Sequence, residues 1–311
     1  MKLTVGTRGS KLSIVQTNMV KHKLIKSLPN LEIEIKMIKT TGDRITNKPL
    51  LKIMEKGMFE KEIDMAILNS QVDFAVHSMK DIPTLHPPEI VIAAVPHRES
   101  PYDVLVSRED QKLESLSPKA IIGTSSPRRE AHLHYLRPDL KVKFIRGNVD
   151  TRVRKLQKRL FDAIILAEAG LRRLDIKNIF TERLHYKKFM PAPGQGALAV
   201  VTQRDNKQAI NLLKRINHSS SMAEVLAERT YMQEMGGGCK VPLGALARTQ
   251  NKNTLSLHAS VLSPDGKIKI EDFQIGTISK PEKLGNKLAQ KMRQGGAKEL
   301  IKHWRRLYEE G

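Results

Sequence analysis

One pattern occurs twice, and it limits the fold more than any other. Leu3-Thr4-Val5-Gly6-Thr7 and Ile121-Ile122-Gly123-Thr124 each read as an apolar strand closed by Gly-Thr, followed by serine and then by helical spacing. After the first copy, Ser10 caps a helix through Leu12, Val15, Met19 and Leu24; after the second, Ser125-Ser126-Pro127 puts proline in a first helical turn. A strand that passes straight into a helix starts a βα unit rather than a hairpin. Further strands are expected at 31–40, 74–76, 91–95, 103–106, 141–145 and 163–166, with helices at 59–68 and 149–160. This alternation makes two α/β domains of similar size, and the repeated turn hints that they face each other across a cleft. The chain is expected to change domain around 96–101. Gly194-Gln195-Gly196 starts another strand, and 41–57 reads as a long mobile loop. Beyond 217, a helix at 220–232 with Glu224 and Glu228 on one face, three strand-like alternations and two helices make a small α+β domain.

A chain of 311 residues with 40% apolar content can build two or three cores. No stretch approaches the roughly 20 apolar residues of a membrane span, and no signal-peptide run follows Met1. With a single cysteine, this points to the cytosol and excludes an intrachain disulfide. The net charge of +21 favours an anionic partner without choosing among nucleic acid, membrane and a carboxylate-rich small molecule. Aromatics at 4% argue against a large base-stacking surface.

Three segments at strand ends carry the chemistry. His77-Ser78-Met79-Lys80-Asp81 sets a hydroxyl, an ammonium and a carboxylate where open α/β sheets bind ligands; a helix cap with a surface ion pair is the alternative. Ser125-Ser126-Pro127-Arg128-Arg129 joins a helix start to two planar cations, with Arg8-Gly9-Ser10 at the matching place in the first domain. In Arg146-Gly147-Asn148-Val149-Asp150-Thr151-Arg152, a cation early in a helix opposes the helix dipole unless an anion is present. Arg172 and Arg173 follow another strand. No Walker loop, dinucleotide fingerprint or HExxH occurs, so no metal is expected, and His132 and His134 read as core or surface histidines. Cys239, between three glycines and Pro242, is either a presented sulfur or a buried apolar side chain. The residues alone leave a small acidic ligand and a nucleic acid both open.

These segments, with Lys56-Gly57-Met58-Phe59, 193–198 and Gly237-Gly238-Cys239-Lys240-Val241-Pro242, resemble the porphobilinogen deaminases, also called hydroxymethylbilane synthases, over nearly the whole chain. The resemblance implies two periplasmic-binding-protein-like α/β domains facing across a cleft, at 1–97 with 194–216 and at 98–193. It places a small α+β domain at 217–311. It also implies a dipyrromethane cofactor on Cys239 through a thioether, priming head-to-tail condensation of four porphobilinogen molecules into hydroxymethylbilane. Asp81 would be catalytic. Lys80, Asp81, Ser126, Arg128, Arg129, Arg146 and Arg173 would hold the cofactor, while Arg8, Ser10, Phe59, Arg146 and Arg152 would hold substrate and the elongating polypyrrole. A cytoplasmic monomer without nucleic-acid or membrane partners is the family expectation. Val201, Glu168 and Gly236 depart from the family pattern, which has an acidic residue, no such charge and a glutamate, respectively, at these places.

Overall fold

The computed structural model describes residues 2–40, 61–83, 87–177, 179–236 and 242–309. Its first elements are β1 (Lys2–Thr7), α1 (Lys11–Ser27), β2 (Glu32–Met37), α2 (Lys61–Leu68), β3 (Phe74–Ser78) and β4 (Ile90–Ala94). Next come β5 (Asp103–Ser107), β6 (Ile121–Gly123), α3 (Pro127–Leu136), β7 (Lys141–Lys143), α4 (Val149–Gln157), β8 (Ala163–Ala167), α5 (Glu168–Arg173) and β9 (Phe180–Leu184). The chain closes with β10 (Leu198–Gln203), α6 (Lys207–Leu213), α7 (Ser219–Glu234), β11 (Leu243–Thr249), β12 (Thr254–Leu262), β13 (Lys269–Thr277), α8 (Pro281–Gln294) and α9 (Ala297–Glu309).

Two compact units result. One contains Met1–Glu99 and Ala197–Met222; the other contains Ser100–Gly196 and Ala223–Gly311. The first unit holds one five-stranded sheet, β2-β1-β3-β10-β4, in which β1 pairs in parallel with β2 and β3, and β10 runs antiparallel between β3 and β4. The second unit holds β7-β6-β8-β5-β9, in which β6 pairs in parallel with β7 and β8, and β5 runs antiparallel between β8 and β9. Strand for strand the two orders coincide, so the repeated Gly-Thr turn marks the same position, after β1 and after β6. The antiparallel strand is β10, from far along the chain, in one sheet and β5, which precedes its neighbours, in the other.

Burial explains why these strands read as apolar runs. In the second sheet, Leu105, Ala163 and Ile165 face one core cluster with Leu133, while Val104, Val106, Ile164 and Leu166 face another with Val153 and Leu156. Period-two alternation thus buries both faces, and no polar side is needed. The glycine of the repeated turn has a packing reason: a Cβ on Gly123 would lie 2.9 Å from Ile164 and 3.0 Å from Phe161. The second unit also contains the antiparallel meander β11-β12-β13, covered on one face by Tyr231 of α7, Leu288 of α8 and Ile301 of α9.

Several expected boundaries shift for local reasons. The helix expected to reach 160 ends at Gln157, because Arg159 adopts φ +60° and Leu160 N–H bonds back to Lys155 O at 3.2 Å. The strand expected at 141–145 stops at Lys143. The alternation expected at 267–270 extends to Thr277 in β13, because its outward positions carry Phe273 and Ile275, both more than half exposed, so hydrophobicity and burial do not coincide along it.

Gly123→Ala is expected to destabilise the protein by about 1–3 kcal/mol through overpacking against β8. A lowered urea midpoint at unchanged slope checks this; an unchanged midpoint contradicts the close approach.

Candidate active site

In the first unit, β3 delivers the His77–Asp81 segment. Ser78 Oγ accepts from Gln16 Nε2 of α1 at 2.9 Å. Met79 N–H donates to Ala197 O at 3.0 Å, starting a 3-10 turn, Met79–Asp81, that Ile82 N–H closes on Met79 O at 3.2 Å. Lys80 is half-buried on this turn and Asp81 is exposed at its end. Arg8, just past β1, is half-buried. Ser10 is the expected cap of α1: its Oγ accepts from Ser13 N–H at 3.2 Å and donates to Ser13 Oγ at 2.8 Å.

In the second unit, Ser126 stands at the N-cap of α3 with Pro127 in the first turn, and its hydroxyl makes no capping bond. Arg128 and Arg129 are buried, at 5% and 6% exposure. Both reach Asp103, which opens β5 and has no exposure at all. Arg128 Nη2 lies 2.7 Å from Asp103 Oδ2, while Nη1 donates to Met190 O at 2.6 Å. Arg129 donates to Asp103 Oδ1 from Nε at 3.1 Å and from Nη2 at 2.7 Å, and from Nη1 to Ile165 O at 2.8 Å. Gln195 Nε2 adds a bond to Asp103 Oδ1 at 3.1 Å. Burial draws the Arg128 guanidinium below its ordinary range against the pull of Asp103, and Arg129 reinforces the fall. Two guanidiniums thus share the Asp103 carboxylate in the protein interior.

Arg146 is half-buried in the turn between β7 and α4, and its carbonyl accepts from Lys155 Nζ at 3.0 Å. Arg152 donates from Nε to Gly147 O at 2.8 Å and from Nη2 to Ser125 Oγ at 3.3 Å, so it folds back over the turn that starts its helix. Arg173, at the end of α5, donates to Gly196 O at 2.6 Å. The structure therefore brings Arg128, Arg129, Gln195 and Asp103 into one cluster, and ties Arg152 to the Ser125 end of the same helix start.

Glu168, the charge that departs from the family pattern, has a structural task. Its carboxylate accepts from Ser100 Oγ at 2.5 Å, from Arg172 Nη2 at 2.6 Å and from Arg183 Nη2 at 2.7 Å. Burial alone would raise its pKa, but bonds from Arg183, Ser100 and Arg172 outweigh burial and hold it down at about 2. Gly236, another departure, has φ +63°, and its carbonyl accepts from Arg305 Nη2 at 2.6 Å. That left-handed backbone favours glycine over glutamate. Val201 is fully buried in β10.

Sequence patterning missed three residues here. Asp103 was visible as the only charge in an expected apolar strand, and Gln195 as a polar residue between two glycines. Glu228, on the expected face of α7, is fully buried; it accepts from Gly194 N–H at 2.6 Å and Ala247 N–H at 2.7 Å. Glu224, one turn earlier, accepts from Thr249 N–H at 2.9 Å, so the two glutamates satisfy alternate donors along the free edge of β11. His132 is a core histidine stacked on Phe189 at 4.7 Å. Phe59, Cys239 and the expected loop at 41–57 lie outside the described residues. Among the described residues, no three His, Cys, Asp or Glu side chains group closely enough to hold a metal ion.

A duplicated α/β sheet with cations after its strand ends, joined to a smaller α+β domain, defines a class of protein suited to ligands with several negative charges. Family models describe it further. The porphobilinogen deaminase dipyromethane cofactor binding domain matches residues 3–211, and the porphobilinogen deaminase C-terminal domain matches 222–294. A probable porphobilinogen deaminase of Nitrosopumilus maritimus is 42% identical over all of this chain and 99% of its own length. The porphobilinogen deaminase of Bacillus subtilis is 42% identical over 99% of this chain and 98% of its own. A probable porphobilinogen deaminase of Hyperthermus butylicus is 44% identical over 97% of this chain and 99% of its own. The chain belongs to the porphobilinogen deaminase family.

Two outcomes follow. Asp103→Ala strands two buried guanidiniums and is expected to cost about 3–5 kcal/mol; a loss under 1 kcal/mol in urea unfolding would contradict the cluster. Glu168 has a folded pKa of about 2 against an ordinary value of 4.5, so its stabilisation is complete above about pH 4.5 and fades as pH falls toward 2. Glu168→Gln is expected to be less stable at neutral pH and to lose less stability than the parent between those two values. Parallel pH–stability curves for the two proteins would contradict this.

Proposed function

We propose that this chain is a deaminating transferase that condenses porphobilinogen units into the linear tetrapyrrole hydroxymethylbilane, with a dipyrromethane cofactor held through Cys239. The observation that carries the reading is the two-part family match, which together spans most of 3–294. The donor set fits such a cofactor, which bears several carboxylates. Arg128 and Arg129 present guanidinium forks, which match carboxylates in charge and planar geometry. Lys80, Ser126, Arg146 and Arg173 complete the proposed cofactor set with Asp81, and Arg8, Ser10, Phe59, Arg146 and Arg152 the proposed substrate set.

When bound, the dipyrromethane supplies a pyrrole carbon as nucleophile, so Cys239 acts as an anchor and not as the attacking group. Arginine forks orient carboxylate side chains of the incoming porphobilinogen and fix its aminomethyl group. Loss of ammonia from that group leaves positive charge on the substrate ring, and Asp81 carries the matching negative charge. Asp81 also takes up and returns ring N–H protons. A short turn locked by Met79 N–H and Ala197 O holds the carboxylate at a fixed place while leaving it exposed to its ligand. The same reading makes the protein a cytoplasmic monomer with no nucleic-acid partner. Among the described residues, no helix is long and apolar enough to cross a membrane.

Incubation with porphobilinogen is expected to release one ammonia per molecule consumed and to yield a linear tetrapyrrole; no consumption would refute the reading. Asp81→Ala is expected to lower kcat by at least on the order of 10²-fold. Because Asp81 is exposed, stability is expected to change by no more than about 0.5 kcal/mol. Near-normal turnover would remove Asp81 from the mechanism.

A further inference from the structure

Glu228, Gln195, Asp103, Arg128 and Arg129, all buried in the second unit, lie on one continuous path. It starts at Glu228 in α7, the helix that leads to Gly236 and then into the segment containing Cys239. Glu228 Oε2 accepts from Gly194 N–H at 2.6 Å, and its other oxygen takes Ala247 N–H of β11. The next residue, Gln195, donates from Nε2 to Pro101 O at 2.7 Å and to Asp103 Oδ1 at 3.1 Å. Asp103 then grips Arg128 and Arg129. Glu228, Gln195 and Asp103 have no exposure, and the two arginines are nearly as buried.

Stability alone does not account for such a string. Well-packed apolar side chains of similar volume serve a core as well as buried ionic groups or better. A covalent anchor, by contrast, makes a geometric demand. A cofactor fixed to one sulfur can meet planar guanidinium forks only if the anchor and the forks are held within about 0.5 Å and 10–20° of the productive arrangement. The path joins the two parts of the second unit that such a cofactor would have to span.

We propose that Glu228 and Gln195 are positioning residues for cofactor loading, holding Arg128 and Arg129 in register with the helix that leads to Cys239. The proposal rests on the reading that dipyrromethane is anchored on Cys239 and held by these arginines. Neither residue need touch the cofactor. Glu228→Gln replaces one acceptor oxygen by an amide that faces a backbone N–H, so it disrupts the bond to Gly194 N–H or to Ala247 N–H and removes the charge at nearly constant shape. Gln195→Met keeps volume and removes the bonds to Pro101 O and Asp103 Oδ1.

The test follows gain of covalent mass. Full-length protein produced without cofactor is incubated with increasing porphobilinogen, and loading is read by intact-protein mass spectrometry under denaturing conditions. The porphobilinogen concentration giving half-maximal loading rate is expected to rise on the order of tenfold in each variant, with a smaller change in the limiting rate. Leu288→Ala serves as control, since it removes packing in the third-sheet core and its side chain makes none of the path's polar bonds. It is expected to lower the melting temperature at least as far while loading at the parent concentration. Should Glu228→Gln fail to fold, Gln195→Met carries the test. Parent-like concentration dependence in the folded variants overturns the proposal, as does an equal loading defect in the Leu288→Ala control. A parent protein that gains no mass overturns the cofactor reading itself, a result distinct from either.

Discussion

A carboxylate with no exposure to water, Asp103, holds two buried guanidiniums, and the second α/β sheet is organised around that charge. Charged groups this deep persist only when paired and hydrogen-bonded throughout. Arg129 directs its Nε, Nη1 and Nη2 at Asp103 and Ile165 O, and Arg128 reaches Met190 O with its remaining fork. The carboxylate opens β5, the antiparallel strand between β8 and β9, where Asp103 pairs with Ala167 and Leu184. Strand order, helix start and cation placement are therefore linked: moving any one of them would leave an ion without its partner.

The two sheets share a plan and differ in what stands at its key position. Leu198 opens β10 opposite Ser78 at the end of β3, as Asp103 opens β5 opposite Ala167 at the end of β8. The turns that follow begin alike, with Met79 N–H on Ala197 O in one sheet and Glu168 N–H on Tyr102 O in the other, each at 3.0 Å. In one unit that turn presents an exposed carboxylate, Asp81. In the other, the first residue of the turn, Glu168, matches Met79 in position and is held by Ser100, Arg172 and Arg183. The same backbone device thus ends in an exposed carboxylate in one copy and opens on a structural ion cluster in the other.

Much of this was legible in the sequence. Strands buried on both faces leave unbroken apolar runs, and proline after two serines marks a helix start because only that position tolerates a missing N–H. The cationic residues after strand ends were visible for the same reason. Their partners were not. Asp103, Met190 and Ile165 are distant in sequence from the arginines they bind, and no local period encodes such pairings. Glu224 and Glu228 showed a shared helix face, yet their task of satisfying Thr249 and Ala247 on the edge of β11 depends on tertiary packing. β13 was cut short because Phe273 and Ile275 face outward. The cysteine was conspicuous in the sequence, but its neighbours specify no role for it.

In the proposed function the single cysteine anchors a pyrrole primer whose carboxylates the arginine cluster receives. Proteolytic digestion of protein exposed to porphobilinogen, followed by peptide mass mapping, tests it most directly. The added mass is expected on the peptide containing Cys239, one cofactor per chain, and is expected to survive thiol reductants as a thioether does. A Cys239 peptide found only at its unmodified mass, after the protein has turned over porphobilinogen, would contradict it.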